Sequence, residues 1–584
     1  MAERKTPGGG EIVEGRTGSR AEIQDALRRG IDPLEIGRRA CGRRRSSPGT
    51  FQRGDPHLRG DGRGADAQAR KGIGGPKITV SRCANRPAGL SRGSGCGTMY
   101  IITRQHGGKM SAITSSDRGR DIPGPSPAPL LGWLPALLRF AFRPLDSLMS
   151  LRERYGSVAR IGVGKYPAVL VFDPEYNRQI LRDPASFYAY DLDLVPVDFP
   201  KEGAVRNLTT GMPLMNGARH DDHRSALLPY FHKKFVTRYH DSCVEVTERK
   251  LASWRIGRVM DLRAEMERLA IWLGTAPVLG LDPEKEGEAI GMQLERTMKI
   301  IMHPLTLLFP YDVPGLPFHK LLKQADEMER VVRMVIARKK EEGLDGKDIL
   351  SVMIQMRETD PDRLSESELI GHTTTMFRGG YNPNGMALYW TIFLLSRHPE
   401  ALKMVLGELD QAMGGKTPTP DSIEKLPWLE GAIKEGMRLF PAGTWTGRLA
   451  MREFELGGYP LPKGTWIVMS PYVVHRDPQI FPEPYRFKPE RWLSEYHSAY
   501  EFMPFSAGPR YCIGTSLGMM QLKIALSIIL QRYSFSLKPG AKVNCSGLNS
   551  IRPKNGLPMI VNERGADLPG TPLEGNIHRI VHFD

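Results

Sequence analysis

The 584-residue chain is 40% hydrophobic, 8% aromatic and 25% charged, which excludes a fibrous or wholly disordered protein and leaves material for a large core. Its net charge of +16 would point to an acidic partner, but residues 1–109 hold 22 Lys and Arg against 10 Asp and Glu, so most of the excess sits in the first fifth. Six cysteines (Cys41, Cys83, Cys96, Cys243, Cys512, Cys545) in so long a chain make no disulfide framework and fit a reducing cytoplasm.

In chain order, residues 1–109 come first, with stretches such as "RRACGRRRSSPG" that are rich in Gly and Arg and lack apolar periodicity. They read as a disordered basic extension or as the product of a start assigned too early, with Met110 the real beginning and 110–584 a single domain. No aromatic residues interleave with the charge, so no nucleic-acid partner is expected. Segment 128–142, "APLLGWLPALLRFAF", is broken by Pro135 and Arg139 and is shorter than the roughly 20 residues that span a bilayer. It predicts at most peripheral contact of a soluble, cytoplasmic protein with a membrane surface.

A short helix is expected over 144–155, then a two-strand hairpin over 157–173 with its turn near Gly164 and Lys165. Amphipathic helical runs follow at 243–278, 286–303, 319–341, 366–397, 398–413 and 428–440. A strand-rich stretch, a Pro-rich meander ("FPEPYRFKPERW"), a buried helix over 514–533 and terminal strands complete the pattern. The fold class is mainly α with small β-sheets. One helical run contains "FRGGYNPNGMAL" (377–388), where two glycines, Asn-Pro and Asn-Gly gather; locally this reads as a loop, although its flanks are helical.

Cys512 lies in "PFSAGPRYCIGTSLGMMQLKIALSIIL", where a glycine-bearing loop delivers it to the start of an apolar helix. The helix dipole and nearby Arg510 are expected to favour its thiolate. A single buried cysteine is more often inert. Here, however, Phe505, Gly508, Arg510, Cys512 and Gly514 spell F-x-x-G-x-R-x-C-x-G, and with it the sequence from about Pro123 to Val561 resembles the cytochrome P450 family of haem-thiolate monooxygenases. The resemblance implies haem b buried between a long distal helix and the helix after the Cys loop. Cys512 would be the axial iron ligand, Arg510 a propionate contact, and Phe505 and Gly514 part of the cofactor loop.

Glu435 and Arg438 in "LEGAIKEGMRLFP" share a helix face, and such pairs are usually solvated. The resemblance implies instead a buried structural network completed by Arg491. Arg448 resembles the family's propionate-binding arginine on the following strand. "GARHDDHRSALLPYF" could pass for a metal site, yet no further ligands accompany it. It resembles the family helix carrying W-x-x-x-R, with His220 in the tryptophan place and Arg224 as the arginine, both implied propionate contacts. "HRD" at 475–477 echoes a kinase loop without its companions, and "RIGVGKYP" lacks the third glycine of a dinucleotide motif.

With no flavin or nicotinamide domain in the chain, the resemblance implies electrons from NAD(P)H through a separate donor such as a ferredoxin and its reductase, and a monomeric enzyme. The family usually carries A/G-G-x-D/E-T-T on the distal helix, where glycines admit oxygen, the helix bulges, and an acid and a threonine relay protons. Gly379 and Gly380 are kept, but Asn382, Pro383 and Asn384 replace the acid and the threonines. Three readings follow: a monooxygenase in which Asn382 or Asn384 orients a water, a peroxide-using or isomerising enzyme, or a non-catalytic haem-binding module. Segments 194–217 and 292–319 stand where family members touch substrate, which suggests a lipophilic molecule such as a fatty acid, terpenoid or polyketide.

Overall fold

A computed structural model of the chain describes residues 122–128, 133–161, 168–189, 199–301, 306, 310–547, 549–566 and 570–583, with the short stretches 78–79 and 103–104. The chain forms two units, Met1–Ala112 and Ile113–Asp584. In the first, Ile78–Thr79 pairs antiparallel with Thr103–Arg104.

The second unit opens with α1 (Leu134–Phe142) and α2 (Pro144–Tyr155). Pro135 lies in the first turn of α1, where its missing N–H costs nothing, so it begins that helix rather than interrupting it. No helix among the described residues is long and apolar enough to cross a membrane. Strands β1 (Val158–Ile161) and β2 (Ala168–Val171) pair antiparallel as the expected hairpin; the turn at Gly164 and Lys165 falls outside the described residues. After α3 (Pro174–Arg182), β3 (Phe187–Tyr188) and α4 (Ala204–Thr209) comes α5 (Gly217–Leu227).

The run expected as one helix over 243–278 is two. Helix α6 (His240–Leu251) ends, the chain turns through Gly257 at φ 79°, β4 (Val259–Asp261) forms, and α7 (Leu262–Leu279) begins with Asp261 capping Arg263 N. Strand β4 exists because it pairs with β12 (Pro558–Glu563), a partner some three hundred residues away that local periodicity does not register. Helices α8 (Glu288–Ile301) and α9 (Pro317–Glu342) fall close to the expected spans, α10 (Ile349–Thr359) is a helix outside them, and α11 (Glu366–Arg397), α12 (Pro399–Met413) and α13 (Pro427–Leu439) again fall close to expectation.

Next come β5 (Thr446–Ala450), the hairpin β6 (Phe454–Leu456) with β7 (Tyr459–Leu461), β8 (Trp466–Met469), helix α14 (Thr515–Leu530), β9 (Tyr533–Leu537), β10 (Cys545–Ser546), β11 (Arg552–Pro553) and β12. One five-stranded sheet runs β1-β2-β8-β5-β3, and a three-stranded sheet runs β9-β12-β4.

Helix α11 is continuous through "GGYNPN" and does not become a loop. Ser365 and Glu368 close a capping box at its start, and burial on almost every side outweighs the cost of Pro383 and the glycines. Its C-terminal half is fixed by Trp390, stacked on Phe440 at 3.9 Å, with the indole N–H donating to Ile551 O at 2.9 Å.

Candidate active site: a cysteine loop facing a long helix

The loop before α14 is shaped by backbone constraints. Ser506 and Gly508 take positive φ of 61° and 72°, and a Cβ on Gly508 would collide with the Leu181 carbonyl at the end of α3, so only glycine fits there. Cys512 N–H donates to Phe505 O at 2.9 Å, and the Thr515 hydroxyl donates to Cys512 O at 2.9 Å. Gly514 is the N-cap of α14, and the Phe505 and Tyr511 rings lie 6.4 Å apart.

Cys512 is exposed, yet burial pushes its thiol above the ordinary cysteine range. The Gly514 N–H, the Thr515 hydroxyl and the charge of Arg224 pull in the opposite direction. The cation that favours the thiolate is thus Arg224, not the expected Arg510. Arg510 is turned to the segment before α5, donating to Pro213 O at 3.3 Å, to Met215 O and to Asn216 Oδ1 at 3.0 Å.

His220 and Arg224 stand one turn apart on α5. His220 is buried with Nδ1 on Asp221 at 2.9 Å; burial lowers its pKa first, and the charges of Arg510 and Arg224 add to that. Arg448, on β5, is largely buried and donates to Gly447 O at 2.7 Å. The Nε of Arg510 is buried without a partner. A cluster of His220, Arg224 and Arg510 beside an accessible cysteine, with an uncompensated guanidinium N–H, suits an anionic cofactor edge. The two carboxylates of a haem fit it.

Glu435 and Arg438 on α13 are wholly buried, not solvated. Arg438 uses all of its donors: two on Glu435 (2.9 and 2.8 Å), and one each on His475 O (2.7 Å), Pro484 O (2.8 Å) and Arg486 O (3.1 Å). Arg491 Nε, Trp492 Nε1 and the Lys488 N–H complete the Glu435 shell at 3.2, 3.0 and 3.0 Å. His475 passes this network to the cysteine loop. Its Nδ1 donates to Arg438 O at 3.2 Å and its Nε2 accepts the Met503 N–H at 3.0 Å, which fixes a neutral ring, as burial also demands. The sequence offers His475 only as part of a kinase-like triplet, because its partners lie far off in the chain.

Across α11 the expected positions divide. Gly380 abuts Gly274 of α7, whose Cα would lie 3.4 Å from a Cβ there, while a Cβ on Gly379 would meet nothing within 4 Å. The backbone open to close approach is therefore at Gly379. Asn384 is buried and donates to Gln521 Oε1 at 2.8 Å, and Gln521 donates to Leu273 O at 2.7 Å. It braces α11 against α14 and α7 and does not face the open stretch. Asn382 accepts from Arg552 of β11, and Pro383 is half-buried. Tyr381 is buried, lining a small cleft with Ile271, Gly274 and Leu294. Arg378 reaches the surface, and desolvation by its neighbours lowers its pKa.

A buried pair links α5 to α11. Met212 N–H donates to His372 Nδ1 (3.4 Å), His372 Nε2 lies 2.8 Å from His223 Nδ1, and His223 Nε2 lies 2.9 Å from Arg363 O. A donor at one end, the Met212 N–H, and an acceptor at the other, the Arg363 carbonyl, fix one arrangement: His372 donates to His223, which donates to the carbonyl. His223 lies in the string that could pass for a metal site, whereas His372 was not separable by sequence from the ordinary run of core residues.

The cytochrome P450 family model matches residues 122–556. The chain belongs to the cytochrome P450 family. Among relatives, cyclooctat-9-en-7-ol 5-monooxygenase of Streptomyces melanosporofaciens is 29% identical over 71% of this chain and 90% of its own length. Cyclooctatin synthase of the same organism is 29% identical over 72% of the chain and 91% of its own. Mouse cytochrome P450 3A41 is 25% identical over 71% of the chain and 85% of its own. The protein is thus a P450 monooxygenase of the α+β P450 fold, an iron-dependent oxidoreductase that uses haem. When bound, haem with a cysteinate ligand supplies oxygen activation. The residues that would hold its anionic edge are His220, Arg224 and Arg510; His475 ties the cysteine loop to the Arg438 network, and Gly379 leaves α11 open on one face.

Proposed function

We propose that the protein inserts one oxygen atom of dioxygen into a lipophilic organic substrate, with haem b ligated by Cys512 and electrons from NAD(P)H through a ferredoxin and its reductase or a similar donor. The observation that carries this is the accessible Cys512 in a glycine-shaped loop beside Arg224. Phe505 and Gly514 shape that loop, and His220, Arg224, Arg448 and Arg510 would hold the haem carboxylates. The name of one Streptomyces relative, cyclooctat-9-en-7-ol 5-monooxygenase, favours an unsaturated alcohol over a fatty acid as the kind of substrate.

A second reading has its own observation: with Asn382, Pro383 and Asn384 in place of an acid and threonines, the distal side suits an enzyme driven by peroxide. The deciding experiment compares product formed from a terpenoid and fatty-acid panel under labelled dioxygen with a reductase pair, and with hydrogen peroxide. Label in product, only with reductant, supports the monooxygenase; unlabelled product with peroxide alone supports the second reading. The enzyme is read as a cytoplasmic monomer with residues 110–584 as its one domain. Exposed Leu138 and Phe142 on α1 favour peripheral membrane contact at 128–142.

A further inference from the structure

From Glu368 to Leu395, helix α11 is buried except at Thr375, Arg378, Gly379, Gly380, Asn382 and Pro383. With about 3.6 residues per turn, Thr375, Gly379 and Asn382 lie on one face, each roughly one turn from the next. The same face continues back through His372 to Glu368, whose carboxylate is held by Arg219 at the protein surface. A polar line therefore runs along α11 from the surface to its open stretch.

Three threonines in succession behave differently. Thr373 donates to Leu369 O at 2.8 Å and Thr374 to Ile370 O at 2.9 Å, the usual return of a helical hydroxyl to the preceding turn. The Thr375 hydroxyl makes no hydrogen bond among the described residues. Its Oγ1 sits against Gly211, where any Cβ would collide with it, so the glycine keeps that site clear. One turn further on, nothing would meet a Cβ on Gly379 within 4 Å. One turn beyond Gly379 stands Pro383, which has neither a hydroxyl nor an N–H.

We propose that Thr375 is the distal hydroxyl of this enzyme: it orders water over Gly379 and passes protons to the oxygen atom that leaves as water, from the opposite side of the opening to Pro383. The proposal rests on the monooxygenase reading, in which dioxygen takes two electrons from the donor and two protons from water. One oxygen atom enters a substrate C–H bond as hydroxyl and the other departs as water. Thr375 is unchanged overall, since it receives a proton from water as it gives its own.

The test uses the full-length holoenzyme in its chemically reduced carbon monoxide form, which needs neither redox partner nor substrate. A donor near the bound gas lowers its C–O stretching wavenumber. Thr375→Val is expected to raise that band, Thr375→Ser to hold it at the wild-type position, and Thr374→Val, whose hydroxyl is already tied to Ile370 O, to leave it in place. In turnover, Thr375→Val should lower product formed per reductant several-fold, with Thr375→Ser restoring it. If valine impairs haem uptake, Thr375→Ala carries the same expectation. An unmoved band in the hydroxyl-less variant at normal haem content overturns the proposal, as does a shift that serine fails to reverse. Absence of any carbon monoxide complex in the wild type would sink the haem reading instead.

Discussion

Arg438 places five N–H bonds on acceptors inside the protein, and no solvent can replace any of them. Removing one partner of a buried ion pair leaves the other uncompensated, so Arg438→Ala should cost about 3–5 kcal/mol and reduce haem retention, read by denaturant midpoint and haem content. Arg438→Lys should recover little, because an ammonium cannot reproduce the planar fork. The spacing of Glu435 and Arg438 was legible in the sequence, and so was the identity of Arg491. Their burial was not, since surface pairs have the same spacing. His475 was hidden because its meaning lies in Arg438 O and Met503 N, which are distant in the chain. Likewise Arg510 stood next to Cys512 in sequence, while Arg224 stands next to it in charge.

At the scale of elements, α11 gives one substitution two signs. Gly379→Ala meets no atom within 4 Å and should gain about 1 kcal/mol of helix propensity while narrowing the opening and slowing turnover. Gly371→Ala would put a Cβ 2.5 Å from Thr210 C and 2.7 Å from Gly211 N, so it should destabilise by about 1–3 kcal/mol despite the same propensity gain. Thermal unfolding of both variants checks the contrast. The clamp between α5 and α11 carries a pH signature. Burial and the neighbouring His223 push His372 down to about 3. The unfolded chain takes a proton on this residue near the ordinary 6.5 while the folded chain refuses it, so stability is full above that value and falls as pH drops toward 3. The slope from one such group is at most about 1.4 kcal/mol per pH unit. Glu368, held near 2 by Arg219 and Ser365 against its own burial, acts in the same direction lower down, with stability lost as pH falls from 4.5 toward that value. His372→Gln should remove one proton's worth of the upper slope in unfolding measured between pH 7 and 4. Helix α11 itself was legible as a span, because apolar periodicity persists on both sides of "GGYNPN". Which of its residues face the opening was not, because helix periodicity does not say where the neighbours are. The break at Gly257 escaped notice for a related reason: β4 is made by β12.

For the whole molecule, the family was legible because the cysteine loop is a short contiguous string whose glycines answer to backbone constraints that any member must meet, as Gly508 does against Leu181. Substrate contacts are spread over segments of differing sequence and do not form such a string. The charge surplus in residues 1–109 lies outside the family match at 122–556, so a chain begun at Met110 should keep the haem content and unfolding temperature of the full chain. The most direct test of the account is the absorption spectrum of the reduced carbon monoxide complex in the wild type and in Cys512→Ser. The account predicts the red-shifted main band of a thiolate-ligated haem in the wild type and its loss in the variant. A wild-type band at the position of a nitrogen-ligated haem, unchanged by Cys512→Ser, would contradict it.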